Sequence, residues 1–240
     1  MKESNRPKPF TVEADPSQIV TTVRDVALRR VWTTTQRVRY LPRPVTAAVN
    51  RAARASRGMV VTGGRFVATP FEAGKTYRRM RDIWIHRADL ATSATFRDIE
   101  DALARTGHYR HKRYEITEVS QIPALIEACY LDLLESMSRE GYRADKRSAF
   151  GTGGLGRAIV WHDGSLVHEN GATHRLAAAR IVGLRHGFPL RIVGVHEDWL
   201  RVNGVCGRPT AEAVRRAVGL CKPVLRVDPD IGTEAVRAAQ

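Results

Sequence analysis

Apolar positions along this chain fall into helical and strand rhythms that can be told apart. Ile122, Leu125, Ile126, Cys129, Leu133 and Met137 follow three-and-four spacing, which predicts a helix over 122–140 with Gly141 as its stop. Thr95-x-x-Asp98 has the form of a capping box ahead of Phe96, Ile99 and Leu103, and Gly107 ends that helix. Asp15-Pro16 supplies an N-cap followed by proline in the first turn. Ile19, Val20, Val23 and Ala27 after it predict a helix running to about Arg30. Residues 45–57 read as a basic helix closed by Gly58, and Pro209 opens another that reaches about Gly219.

The strand signals are shorter. Residues 10–13 are extended, and Met59-Val60-Val61 runs into a Thr62-Gly63-Gly64 turn. Residues 70–90 carry no decisive pattern. Arg157–Trp161 and Ser165–His168 flank Asp163-Gly164, a hairpin signature. An Ala-rich helix follows directly, then a strand over Phe188–His196. Hairpin, helix and strand in succession predict an α/β fold: a small mixed sheet with helices, plus a helical N-terminal extension. The expected organisation is a basic, mainly helical segment (1–60), a helical middle region (61–140), an α/β core (141–204) and a C-terminal helix and tail (205–240).

Composition narrows the function classes. The chain has 240 residues, 43% hydrophobic and 27% charged, which is globular. No apolar run reaches the roughly 18 residues of a membrane span. The first nine residues lack the apolar core of a secretory signal. Three cysteines, Cys129, Cys206 and Cys221, form no CxxC, so reduced thiols and a cytoplasmic setting are expected. Cys129 lies on the apolar stripe as a small core residue. His108 and His111 lack partners at metal-ligand spacing and read as surface residues, and no metal ligands are assigned. Net charge is +14, and residues 1–60 hold 12 Lys/Arg against 4 Asp/Glu. That bias fits either a footprint for nucleic acid or the solvated faces of Arg-rich helices.

Candidate chemistry centres on Gly171-Ala172-Thr173-His174-Arg175, between a strand and a helix. Small residues permit a tight turn and expose consecutive amides at a helix N-terminus, an anion site. His174 and Arg175 add donors, and Arg can hold phosphate oxygens in a bidentate grip. Thr173 serves either as N-cap or as a hydroxyl toward phosphate. Glu72-Ala73-Gly74-Lys75-Thr76 lacks the first glycine of a P-loop, so Lys75 reads as a surface residue. The glycines of 151–156 precede a strand, which excludes the dinucleotide-binding reading. Trp199 reads as an aromatic closing the core.

The run Asn170-Gly-Ala-Thr-His-Arg-Leu-Ala-Ala-Ala-Arg-Ile-Val-Gly-Leu184 resembles the signature of the ParB/sulfiredoxin superfamily. The likeness is sharpest over about 141–199. Gly141-Tyr142, Asp163-Gly164, His174-Arg175-Leu176-Ala177, Pro189-Leu190-Arg191 and His196-x-x-Trp199 are also similar to little-characterised bacterial and archaeal ParB-like proteins. The resemblance implies nucleotide phosphate binding at Gly171, Ala172, Thr173, His174 and Arg175. It further implies ATP or another NTP, with Mg²⁺, used for phosphoryl transfer or hydrolysis on an acceptor that the sequence leaves unidentified. Asn170, Arg191 and His196 are candidates for substrate or base contact.

This chain departs from the pattern in its acids. Gly171-Ala172 stands where those relatives have Asp-Gly, so Glu169 is the nearest candidate for a catalytic carboxylate. Thr173 replaces the reactive cysteine of sulfiredoxins. Two alternatives follow: a DNA-associated ParB-like protein that uses residues 1–60 but lacks a helix-turn-helix after the His-Arg helix, or a non-catalytic scaffold.

Overall fold

The computed structural model describes residues 10–26, 44–45, 48–49, 59–145 and 155–205. In chain order these form β1 (Phe10–Ala14), β2 (Thr21–Asp25), β3 (Val60–Val61), β4 (Phe66–Pro70), α1 (Lys75–Ile85), α2 (Ala94–Thr106), β5 (Tyr109–His111) and β6 (Tyr114–Ile116). There follow α3 (Ile122–Ile126), a π turn (Glu127–Leu131), α4 (Asp132–Glu140), β7 (Gly156–Val160), β8 (Leu166–Asn170), α5 (Thr173–Ile181), β9 (Phe188–His196) and α6 (Glu197–Val202). The fold is mixed α/β.

Seven strands make one mixed sheet in the order β1-β9-β7-β8-β2-β4, with β3 also pairing β9. β7 and β8 form the antiparallel hairpin expected at Asp163-Gly164, and β9 returns parallel to β7. A parallel return needs a crossover, and α5 supplies it. Alternate strand residues point to opposite faces. Ala158 and Val160 enter the main core with the helices, while Ile159 joins Val23, Val61 and Val167 in a smaller cluster on the other side.

The N-terminal segment differs from expectation. Asp15 does cap a turn, its carboxylate accepting from the Ser17 amide at 2.8 Å and from its hydroxyl at 2.6 Å. That turn is a single 3-10 unit, Pro16–Gln18. The predicted helix does not follow; β2 does. Ile19-Val20-Thr21-Thr22-Val23 is a β-branched run that crowds a helix and suits a pleated surface. Tertiary pairing then decides, because β2 finds β4 on one side and β8 on the other. β1 and β2 therefore belong to the sheet itself. The basic helix expected at 45–57, the helix at 209–219, Cys206 and Cys221 lie wholly or largely outside the described residues.

Other expectations hold with adjustments. The helix from 94 to 106 is capped by Ser93, whose hydroxyl accepts from the Phe96 amide at 3.1 Å. Thr95 instead gives its amide and hydroxyl to Asp82, each at 2.8 Å. Burial disfavours the Asp82 charge, but these donors and the Ala94 amide outweigh it and hold the carboxyl below its usual range. The predicted stripe of 122–140 is buried as expected, with a π turn at its centre. Cys129 is in the core, and burial pushes its thiol up to about 11. α5 packs against α1 and α4, and Leu176, Ala177, Ala178 and Ala179 are all fully buried. A helix enclosed on so many sides is held by packing. No helix among the described residues is long and apolar enough to cross a membrane.

Candidate functional site

The α5 N-terminus begins where β8 ends. Gly171 (φ 77°) and Ala172 (φ 45°, ψ 25°) both take left-handed backbone, which turns the chain sharply into the helix. Glycine adopts this freely and alanine does not. A Cβ on Gly171 would also meet the Leu155 carbonyl at 3.2 Å. Asn170 closes the turn, its Oδ1 accepting from the Gly171 amide at 2.7 Å. His168 braces it from beneath, with Nε2 at 2.8 Å from the Gly171 carbonyl. A carbonyl only accepts, so Nε2 carries the hydrogen. Burial holds the His168 pKa down, and the ring is a neutral strut. The N-cap is Ala172, not Thr173, and it makes no side-chain capping bond. The positive end of the helix dipole is thus presented by a residue with no acceptor of its own.

Around His174 the tertiary structure gathers Arg79 from α1, His111 and Lys112 from the β5–β6 hairpin and Tyr130 from the π turn. Tyr130, on the π turn, is the hub. Its ring centroid lies 6.4 Å from that of His174 and 5.8 Å from that of His111. Its hydroxyl is 3.3 Å from His111 Nε2 and accepts from Arg79 Nη1 at 3.4 Å. π turns recur at functional sites because the extra residue re-aims side chains. Lys112, in the β5–β6 turn, has φ 57°. Among the described residues only Lys112 and Ala172 are non-glycine residues with positive φ, and both border this cluster. Such strain, on the order of 1–3 kcal/mol each, concentrates at functional sites.

The electrostatics follow. Burial, then Lys112, His111 and Arg79, push the His174 pKa down to about 4. Burial, then Arg79 and Lys112, also lower that of His111. Burial is the larger cause of both shifts and the neighbouring cations add to it, so both rings are neutral near pH 7. Those cations favour an anion beside them.

The remaining candidates lie elsewhere. Arg175 turns inward. It is 4% exposed, its Nη1 donates to the Arg143 carbonyl at 2.7 Å, and its guanidinium lies 5.5 Å from the Tyr142 ring centroid. It ties the segment after α4 to α5. Arg175→Ala is expected to cost about 1.5–3 kcal/mol of stability in urea denaturation, the range for a charged hydrogen bond. Glu169 is paired with Arg157 at 2.8 Å, its side chain 5% exposed. Arg191 is half-buried on β9, level with Arg157 and Thr11. His196 accepts from the Asp198 amide and packs against Trp161 at 5.1 Å. It stands at the far end of β9, roughly 13 Å along the strands from the α5 turn. Trp199 is in the core, as expected. Lys75 is exposed at the start of α1.

Arg79, Lys112 and Tyr130 are absent from the residues that sequence patterns single out, and His111, read there as a surface residue, is half-buried against Tyr130. One local signal pointed there: Tyr109-Arg110-His111 and Tyr114-Glu115-Ile116 alternate about a basic two-residue turn, the pattern of a hairpin. Among the described residues no three His, Cys, Asp or Glu side chains gather as a metal site. Compared with protein-family models, curated proteins and solved structures, the chain has no match.

Proposed function

We propose that this protein binds the phosphates of a nucleotide at the α5 N-terminus, as the ParB/sulfiredoxin resemblance of the Gly171–Arg175 run implies. The observation that supports it is the convergence of Arg79, His111, Lys112 and the Tyr130 hydroxyl beside His174, at an N-terminus without a side-chain cap. Cations at a helix N-terminus repel the dipole, and they are retained where an anion offsets both. Gly171 and Ala172 bring the backbone in, and Thr173 offers its hydroxyl. The recruited cations take the place that the resemblance gives to Arg175. An accompanying Mg²⁺ would be held mainly by phosphate oxygens and water, its usual mode with nucleotides. The proposed setting is the cytoplasm, where NTPs are present.

Calorimetric titration with ATP, CTP, GTP and ADP, with and without Mg²⁺, tests the reading. A ligand at 100 times its Kd should add about 2.7 kcal/mol of stability. Lys112→Gly is the informative variant. It removes a cation and relieves left-handed strain, so nucleotide affinity is expected to fall about tenfold or more while stability holds or rises. Unchanged affinity in Lys112→Gly, or no binding by wild type, sinks the proposal. Release of inorganic phosphate in the same samples reports whether hydrolysis accompanies binding.

A further inference from the structure

A second concave site lies on α1, apart from the cluster around His174. Arg78, Arg81, Asp82 and Ile85 recur at three-and-four spacing and share one helix face. With Glu72 and Tyr77 at one end and His86 at the other, they line an open groove of about 450 Å³. Small-molecule sites run from roughly 300 to 1,000 Å³. Arg79, next in sequence, donates to Tyr130 instead. We propose that this groove binds a small organic acid with one carboxylate and an apolar body of a few carbons or one ring.

The charges of the groove select a single anionic group. Both of its carboxylates are already engaged. Glu72 accepts from Arg180 Nη2 at 2.7 Å and from the Tyr77 hydroxyl. Asp82 accepts from the Ala94 amide at 3.2 Å and from the Thr95 amide and hydroxyl, and His86 Nδ1 stands 3.3 Å from it. Arg78 and Arg81 are exposed, and among the described residues no carboxylate pairs with either. The two guanidiniums stand about one turn apart on the same face, so one carboxylate can accept from both. Glu72 and Asp82 flank them, and a second negative charge on the ligand would meet one or the other. The phosphates of a nucleotide are disfavoured here for that reason. Ile85 supplies the apolar contact. It is 56% exposed and lies four residues beyond Arg81, roughly 6 Å along the axis. The Tyr77 ring, edge-on to Phe71 at 5.9 Å, is a second apolar wall.

The test is a backbone-amide NMR titration of the full chain with phenylpropionate, its uncharged amide and propionate, at constant ionic strength. Phenylpropionate is expected to shift the amides of residues 78–86 with a Kd on the order of 1–10 mM, the scale for a ligand of its size. The amide lacks the charge and propionate lacks the ring, so each should bind about fivefold more weakly or worse. Arg78→Gln combined with Arg81→Gln should weaken phenylpropionate about tenfold. Both side chains are exposed, so the fold and the nucleotide titration should be unchanged in that variant. Ile85→Ser should weaken phenylpropionate and leave propionate as it was. No saturating shift on α1, equal binding of the amide, or unaltered affinity in the double variant overturns the inference. None of these outcomes bears on the nucleotide site, which the ATP titration tests by itself.

Discussion

Arg180→Ala is expected to destabilise the protein by about 3–5 kcal/mol, read as a shift of the urea midpoint. Arg180 lies near the end of α5 with its side chain 8% exposed. Its Nη1 donates to the carbonyls of Pro16 at 3.1 Å, Ser17 at 2.9 Å and Ile19 at 2.8 Å. Its guanidinium stands 5.7 Å from the Phe71 ring centroid and 5.9 Å from that of Tyr77. One side chain thus satisfies the 3-10 turn that launches β2. Truncation leaves the Ser17 and Ile19 carbonyls without that donor, while the Pro16 carbonyl keeps the Ile19 amide, at about 1–3 kcal/mol for each that stays dry. The ion pair to Glu72 at 2.7 Å adds little, since Glu72 is exposed. Arg180→Lys should recover only part, because an ammonium lacks the planar fork. A loss below about 1 kcal/mol for Arg180→Ala would mean that water replaces the guanidinium, and the argument would fail.

Gly164→Val should cost about 2–5 kcal/mol through two separate penalties. Gly164 has φ 84°, and a side chain there is strained by about 1–2 kcal/mol. Its Cβ would also meet Trp199 Nε1 at 2.9 Å and Cδ1 at 3.4 Å. The indole is in the main core, so moving it carries an overpacking cost of about 1–3 kcal/mol. Tryptophan fluorescence should shift to the red as Trp199 gains water. Gly64→Ala is the control. Nothing lies within 4 Å of its Cβ, and it is expected to change stability by less than about 1 kcal/mol. Equal effects at the two positions would contradict the packing account.

What could be read from the chain was what neighbours in sequence decide. Asp163-Gly164 closes its hairpin through Asp163 Oδ1, which accepts from the Ser165 amide at 2.9 Å and hydroxyl at 2.6 Å, all within three residues. The stripe from Ile122 to Met137 and the turn into α5 were legible for the same reason. β2 was misread because Ile19, Val20 and Val23 satisfy a helical spacing, while the contacts that make Thr21–Asp25 a strand come from β4 and His168. The site is the extreme case. Arg79, His111, Tyr130 and His174 come from four elements, and only packing unites them. Tyr130 was hidden further by the π turn, which moves it off the position that a regular helix would give it. The Gly171–Arg175 run located one wall of the site, and the structure supplies the others.

The pairing of β1 with β9 also matters while the chain is being made. Phe10 sits opposite Ile192, yet 181 residues separate them in sequence. Ribosomes add about 5–20 residues per second, so Val12 and Ala14 wait on the order of 10–40 s for their sheet partner. β2 waits nearly as long for His168. β1 thus joins the sheet only after β9 has been made, and long-range pairing of this kind is slow. A chain stalled before residue 188 would expose an unpaired β1 beside the newly formed helices, a substrate for holding chaperones.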